Sequence, residues 1–255
     1  MGIQVELAKI CRRVYPGPLN QRQLTIAGEP IQSQRYIHGS FGRGYCRVFF
    51  NEASVVVAFR GTREIIDWQI SNFRFLREPL RDCGPAGDHI GVHRGFQRTL
   101  DYTDKTTGLR SLEAILRILQ EIDVNSRNLW ITGHSLGGAL ATIFAAKLRH
   151  SRPDLIAGNL RGIVLFGAPA VGGVSFKRHY GALNDLTERY INNLDPVPFT
   201  PPIGFCHIGR GSWYRDRQWI PDPGWPTRLS MAIRHRPSAM IGDHSMNAYV
   251  EALSR

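Results

Sequence analysis

Ser135 lies in Gly133-His134-Ser135-Leu136-Gly137, a G-x-S-x-G pattern, and a serine in that setting can act as a nucleophile on an acyl group. Five residues alone are weak evidence, since such a match turns up in roughly one random chain in seven at this composition. The flanks say more. Asn128 to Gly133 reads as a short strand, and LGGALATIFAAKLRH after the serine places small residues before strong helix formers. A strand ending at Gly133 therefore turns directly into a helix ending near His150. So abrupt a turn strains the central residue and requires neighbours without side chains, which the glycines supply. The pattern predicts Ser135 exposed at the carboxyl edge of a sheet.

A serine hydroxyl is a poor nucleophile until a base takes its proton, so a carboxylate and a histidine must follow, in the order Ser, Asp or Glu, His. Asp195 follows the short run RYINN and precedes Pro196, which suits a carboxylate at a strand end. His244 sits in GDHS, just before the last helical run. Asp185 and Asp222 compete for the first role, and an Asp before Pro is also a common turn residue. His207 and His235 compete for the second. Spacing alone leaves these choices open. His89 and His93 are four apart with no third ligand evident and read as structural, so neither metal nor organic cofactor is expected.

These residues need a scaffold, and the chain alternates strands with helices. Gly44 to Asn51 and Ser54 to Arg60 read as a hairpin turning near Asn51-Glu52, its second strand, SVVVAFR, apolar enough to be buried. Apolar spacing predicts helices over Ile65 to Phe73, with Thr62 as N-cap, over Ser111 to Ile122 and over Ser245 to Leu253. GIVLFG (Gly162 to Gly167) and RYINN (Arg189 to Asn193) read as strands. The sum is an α/β fold, a mostly parallel central sheet flanked by helices. Between Pro196 and Met240 periodicity fades among Pro, Gly, Arg and Trp, which predicts irregular surface connections.

The chain has 255 residues, 42% hydrophobic and 21% charged, a balance that suits one folded domain over 1–255 and excludes disordered and collagen-like classes. Lys and Arg number 32 against 21 acidic residues, a formal charge of +11 that favours encounter with anionic partners. The N-terminus, MGIQVELAKICRRVY, is helical in pattern and lacks a signal-peptide core, and Glu6 speaks against myristoylation, so a cytoplasmic setting is expected unless export takes a signal-less route. Cys11, Cys46, Cys83 and Cys206 are widely spaced and read as reduced thiols.

Six blocks, AFRGT (58–62), VHRGF (92–96), TGHSLGGALA (132–141), FGAPAVG (166–172), NNLDPVPFTPP (192–202) and DHSMNAY (243–249), resemble in order those of the class 3 lipases, a fungal-lipase-like branch of the α/β-hydrolases. The resemblance spans roughly residues 45 to 250. It implies an α/β-hydrolase fold and a serine carboxylic-ester hydrolase with Ser135, Asp195 and His244 as its triad. His134 and His207 then become scaffold residues. It also implies an oxyanion hole at Thr62 and the backbone N–H of Leu136, and a lid over the site carrying Ile65, Ile66, Trp68 and Ile70.

The expected substrate is an ester or lipid, with acylglycerol first and a phospholipase A-type, short-chain or feruloyl-type esterase as alternatives. Arg210, Arg215, Arg217, Arg228, Arg234 and Arg236, interleaved with Trp213, Trp219 and Trp225, suit peripheral contact with an anionic lipid surface. A rival reading, a non-catalytic basic protein directed at nucleic acid or membrane, is disfavoured by the intact Ser135, Asp195, His244 and Thr62. No nucleic-acid partner is expected.

Overall fold

The five runs that the sequence marks as strands are all present, and three more join them in one eight-stranded sheet. The computed structural model describes residues 2–15, 24–38, 44–61, 76–104, 107–224, 226–227, 230 and 242–255. The strands of the eight-stranded sheet are β1 (Ser33–His38), β2 (Gly44–Phe50), β3 (Ser54–Phe59), β4 (Asn128–His134), β5 (Leu160–Phe166), β6 (Thr187–Asn192), β7 (Arg210–Arg215) and β8 (Gln218–Pro221), ordered in space as in the chain. From β3 to β7 each strand runs parallel to the next. β1, β2 and β8 pair antiparallel at the two edges. β3 is buried at every position, as its unbroken apolar run requires of a strand covered on both faces.

Because the strand order never reverses, crossovers of one hand carry their helices to one face. There α2 (Arg94–Leu100), α3 (Ser111–Glu121) and α4 (Leu136–Ser151) bury Phe96, Leu100, Ile115, Leu119, Leu140 and Phe144 against the sheet. The other face is left for the chain's two ends. α1 (Ile3–Val14) and α5 (Met246–Ser254) cover it, with Leu7, Ile10, Val14 and Tyr249 packed against Phe49, Val56, Ala58 and Phe166. Ser245 caps α5, its hydroxyl accepting from the Ala248 N–H at 3.2 Å.

Lys147 of α4 is fully buried, and a buried ammonium is costly unless paired. Its Nζ lies 2.9 Å from Asp82 and 2.5 Å from Asp101, and Arg110 bridges the same two carboxylates. This network fastens the end of α2 and the loop at Asp82 to the outer side of α4, the helix that follows the nucleophile. No helix among the described residues is long and apolar enough to cross a membrane.

The expectation of irregular chain from Pro196 to Met240 is corrected by β7 and β8. In β7 only Trp213 and Tyr214 are buried, so two apolar positions among Arg, Gly and Ser carry the strand and leave almost no period to read. Trp213 pairs in register with Ile191 of β6 and donates its indole N–H to the Asn193 carbonyl at 2.6 Å. Trp219 packs edge-on against Tyr190 and donates to the Ala252 carbonyl at 3.3 Å. Both tryptophans therefore brace the sheet; the burial of Trp213 corrects its expected role in lipid contact, while Trp219 is half-buried. Trp225, Arg228, Arg234, Arg236 and the competing base His235 lie outside the described residues, as does the helix expected over Ile65 to Phe73.

Candidate active site

The parallel strands β3, β4, β5 and β6 all point their carboxyl ends at one edge of the sheet, where an α/β fold collects functional loops. Ser135 stands between β4 and α4 with φ 61° and ψ −130°, a conformation that favours glycine and costs an L-residue about 1–3 kcal/mol. The surroundings enforce it. A Cβ on Gly133 would overlap the Gly137 carbonyl, and one on Gly137 would overlap the Phe59 carbonyl, so both glycines are steric requirements of the turn. The Ser135 N–H is tied to the Phe166 carbonyl at 3.0 Å, and its carbonyl accepts from the Gly138 N–H at 2.9 Å.

Ser135 is fully buried rather than exposed at the sheet edge, a correction to the sequence expectation. The cause is close packing on both sides. A Cβ built on Gly61 would lie 2.8 Å from the Ser135 Cβ, and His244 Nε2 sits 2.7 Å from Ser135 Oγ.

His244 precedes α5 and reaches over the edge from the second face. Its Nδ1 lies 2.8 and 2.9 Å from the two carboxylate oxygens of Asp195. Asp195 is fully buried and takes two further donors, the Val197 N–H at 2.9 Å and the Tyr249 hydroxyl at 2.5 Å. A carboxylate so surrounded accepts only, so Nδ1 carries the imidazole proton. Nε2 is then a lone pair facing the Ser135 hydroxyl, the state that a general base requires.

The loops bearing the acid and the base are also stapled to each other. Asp243 accepts from the Leu194 N–H at 3.1 Å and from the Asn193 amide at 3.4 Å, while its own carbonyl accepts from the Asn192 amide at 3.0 Å. The Tyr249 hydroxyl accepts from the Asn192 N–H at 3.1 Å. Sequence reasoning missed Asp243, Tyr249 and Asn192 as supports. The available signal was the cap at Ser245, which places Tyr249 one turn into α5 on the side of the site.

The competing residues are elsewhere. Asp185 precedes β6 at the opposite edge of the sheet, and Asp222 lies 3.6 Å from Arg189. His207 donates from Nε2 to the Pro198 carbonyl at 2.6 Å, and His93 caps α2, accepting from the Phe96 N–H. Burial lowers the His93 pKa to about 4, so it stays neutral. His134 is buried beneath the triad, and burial with His244 close by holds its pKa well below the usual range. Leu136 opens α4, where a first-turn N–H has no acceptor in its own helix. Thr62, Ile65, Ile66, Trp68 and Ile70 lie outside the described residues, though Gly61, directly before Thr62, abuts the nucleophile. Among the described residues no group of three or more His, Cys, Asp or Glu side chains is placed to hold a metal ion.

The family model for class 3 lipases matches residues 56–205, more than half of the chain. The chain belongs to the class 3 lipase family. Among this chain's relatives, phospholipase A1-IIgamma of Arabidopsis thaliana is 26% identical over 203 residues, 71% of this chain and 48% of that one. The lipase of Rhizomucor miehei is 30% identical over 169 residues, 65% of this chain and 43% of that one. The chain thus spans less than half the length of these two relatives. A solved triacylglycerol lipase whose catalytic centre is formed by a serine protease triad superposes with a TM-score of 0.64 at 26% identity, covering 84% of this chain and 78% of that one. The fold is that of the α/β-hydrolases.

Proposed function

We propose that this class 3 lipase is a single-domain carboxylic-ester hydrolase that cleaves acylglycerol esters through an acyl-enzyme on Ser135. The reading rests above all on the unbroken hydrogen-bond chain from Ser135 Oγ through His244 to the buried Asp195. His244 takes the Ser135 proton as Oγ attacks the ester carbonyl. The tetrahedral oxyanion is held by the Leu136 N–H and by Thr62, a type of contact worth about 10²–10³ in kcat per donor. His244, now an imidazolium oriented by Asp195, protonates the departing alcohol. Water activated by the same base then hydrolyses the acyl-enzyme. The family resemblance assigns Ile65, Ile66, Trp68 and Ile70 to an apolar lid, a role that the interfacial assay below tests.

A phospholipase A1 reading is favoured by two observations, the relative named phospholipase A1-IIgamma and a formal charge of +11 that suits anionic lipid surfaces. One assay separates the readings. Fatty-acid release is measured from triacylglycerol emulsion, from phosphatidylglycerol vesicles and from p-nitrophenyl esters below and above their aggregation point. Emulsion turnover that needs Ser135 and rises sharply above aggregation is the expected result. Faster release from vesicles would move the substrate to phospholipid, and turnover of short soluble esters alone would make the protein an esterase.

A further inference from the structure

His134 does not contact substrate in the mechanism above, yet each of its ring nitrogens is held. Nε2 lies 2.7 Å from the main-chain carbonyl of His244, and Nδ1 lies 2.6 Å from the Tyr15 hydroxyl. A carbonyl only accepts, so Nε2 carries the proton and the neutral ring must accept at Nδ1. Tyr15 is the donor there. Its oxygen in turn accepts from the Gly61 N–H at 3.1 Å. One directed series of hydrogen bonds therefore runs from Gly61 N–H to Tyr15 O–H to His134, and from His134 Nε2–H to the His244 carbonyl.

The series joins parts of the molecule that sequence places far apart. Tyr15 follows α1, Gly61 precedes the oxyanion residue Thr62, His134 adjoins the nucleophile, and His244 is the base. The rings fit as well. Tyr15 meets His134 edge-on with centroids 5.7 Å apart, and His134 lies under the His244 ring at 4.6 Å. Gly61 has no room for a side chain at this post, since a Cβ there would lie 2.5 Å from the Tyr15 oxygen and 2.8 Å from the His134 carbonyl oxygen.

We propose that Tyr15 is a positioning residue for the ester-hydrolase reaction, its hydroxyl bridging His134 Nδ1 and the Gly61 N–H and so holding Gly61 and the His244 loop in register with Ser135. The proposal rests on the triad reading. Without the hydroxyl, His134 Nδ1 and the Gly61 N–H lose their shared partner, and the His134 ring, still donating from Nε2 to the His244 carbonyl, is no longer tied to Gly61. Both reactive loops would lose a fixed distance at once. Misplacement of about 1 Å near reacting atoms costs on the order of 10²-fold in rate.

Tyr15→Phe keeps the ring and removes the hydroxyl. The expected result is a kcat lower by about 10- to 100-fold with KM within about twofold and an unchanged melting temperature within a few degrees. An unchanged kcat, or a loss of kcat matched by collapse of the melting temperature, would overturn the proposal. A measurement on the unaltered enzyme stands beside it: imidazole ¹⁵N shifts should show His134 protonated at Nε2 and bare at Nδ1. The opposite tautomer would also overturn it. Labelling by a p-nitrophenyl phosphonate keeps the two ideas apart. If the unaltered enzyme is not labelled at Ser135, the triad reading fails; if it is labelled and Tyr15→Phe is labelled equally fast, only the role of Tyr15 fails.

Discussion

Asp195→Asn is expected to lower kcat by about 10⁴-fold while the protein stays folded. The reason lies in the number of donors around one buried group. Asp195 accepts from the Val197 N–H, the Tyr249 hydroxyl and His244 Nδ1–H, and it has no access to solvent. An asparagine offers one accepting oxygen and an amide that donates. If the oxygen keeps the Val197 N–H, the amide faces His244 Nδ1, which must then give up its proton to accept. The ring is left with its proton on Nε2, directed at Ser135 Oγ, and cannot deprotonate the serine. Steady-state kinetics with a soluble ester would show the loss in kcat with little change in KM. A loss under about tenfold would mean that Asp195 does not set the tautomer.

Replacing Ser135 has two expected consequences, one chemical and one conformational. Ser135→Ala removes the nucleophile and should lower kcat by roughly 10⁶-fold, leaving only the turnover that binding and oxyanion contacts support. Ser135→Gly should be as inactive and yet more stable. At φ 61° and ψ −130° a side chain costs about 1–3 kcal/mol, against about 0.5–1 kcal/mol for the extra freedom glycine loses on folding. The balance is about 1 kcal/mol in favour of glycine, or roughly 2–4 °C in melting temperature for a chain of this size. Differential scanning calorimetry of the two variants reads it directly. An Ala variant that melts above the Gly variant would mean that the turn is not strained.

The turn is legible in the sequence because its requirements are local. Gly133 and Gly137 exclude a side chain against the next turn of backbone, and that demand shows in five consecutive residues. The acid and the base are not legible in the same way. Asp195 and Asp222 are both aspartates near strand ends, and only strand order puts one at the edge with Ser135 and pairs the other with Arg189. Block resemblance, which carries long-range order implicitly, is needed to choose. Strand β7 escapes because two buried aromatics carry it, and Tyr15 escapes because its partners Gly61 and His134 lie 46 and 119 residues away. The burial of Ser135 depends on equally distant contacts, with Gly61 on one side and His244 on the other.

The proposed ester hydrolysis depends on Ser135 forming the covalent intermediate. Treating the protein with a p-nitrophenyl alkylphosphonate and mapping the adduct by peptide mass spectrometry tests this without any choice of natural substrate. The predicted result is one phosphonyl group on Ser135, loss of ester hydrolysis in step with its formation, and no adduct in Ser135→Ala. An adduct on another residue, or hydrolysis that continues after Ser135 is fully modified, would contradict it.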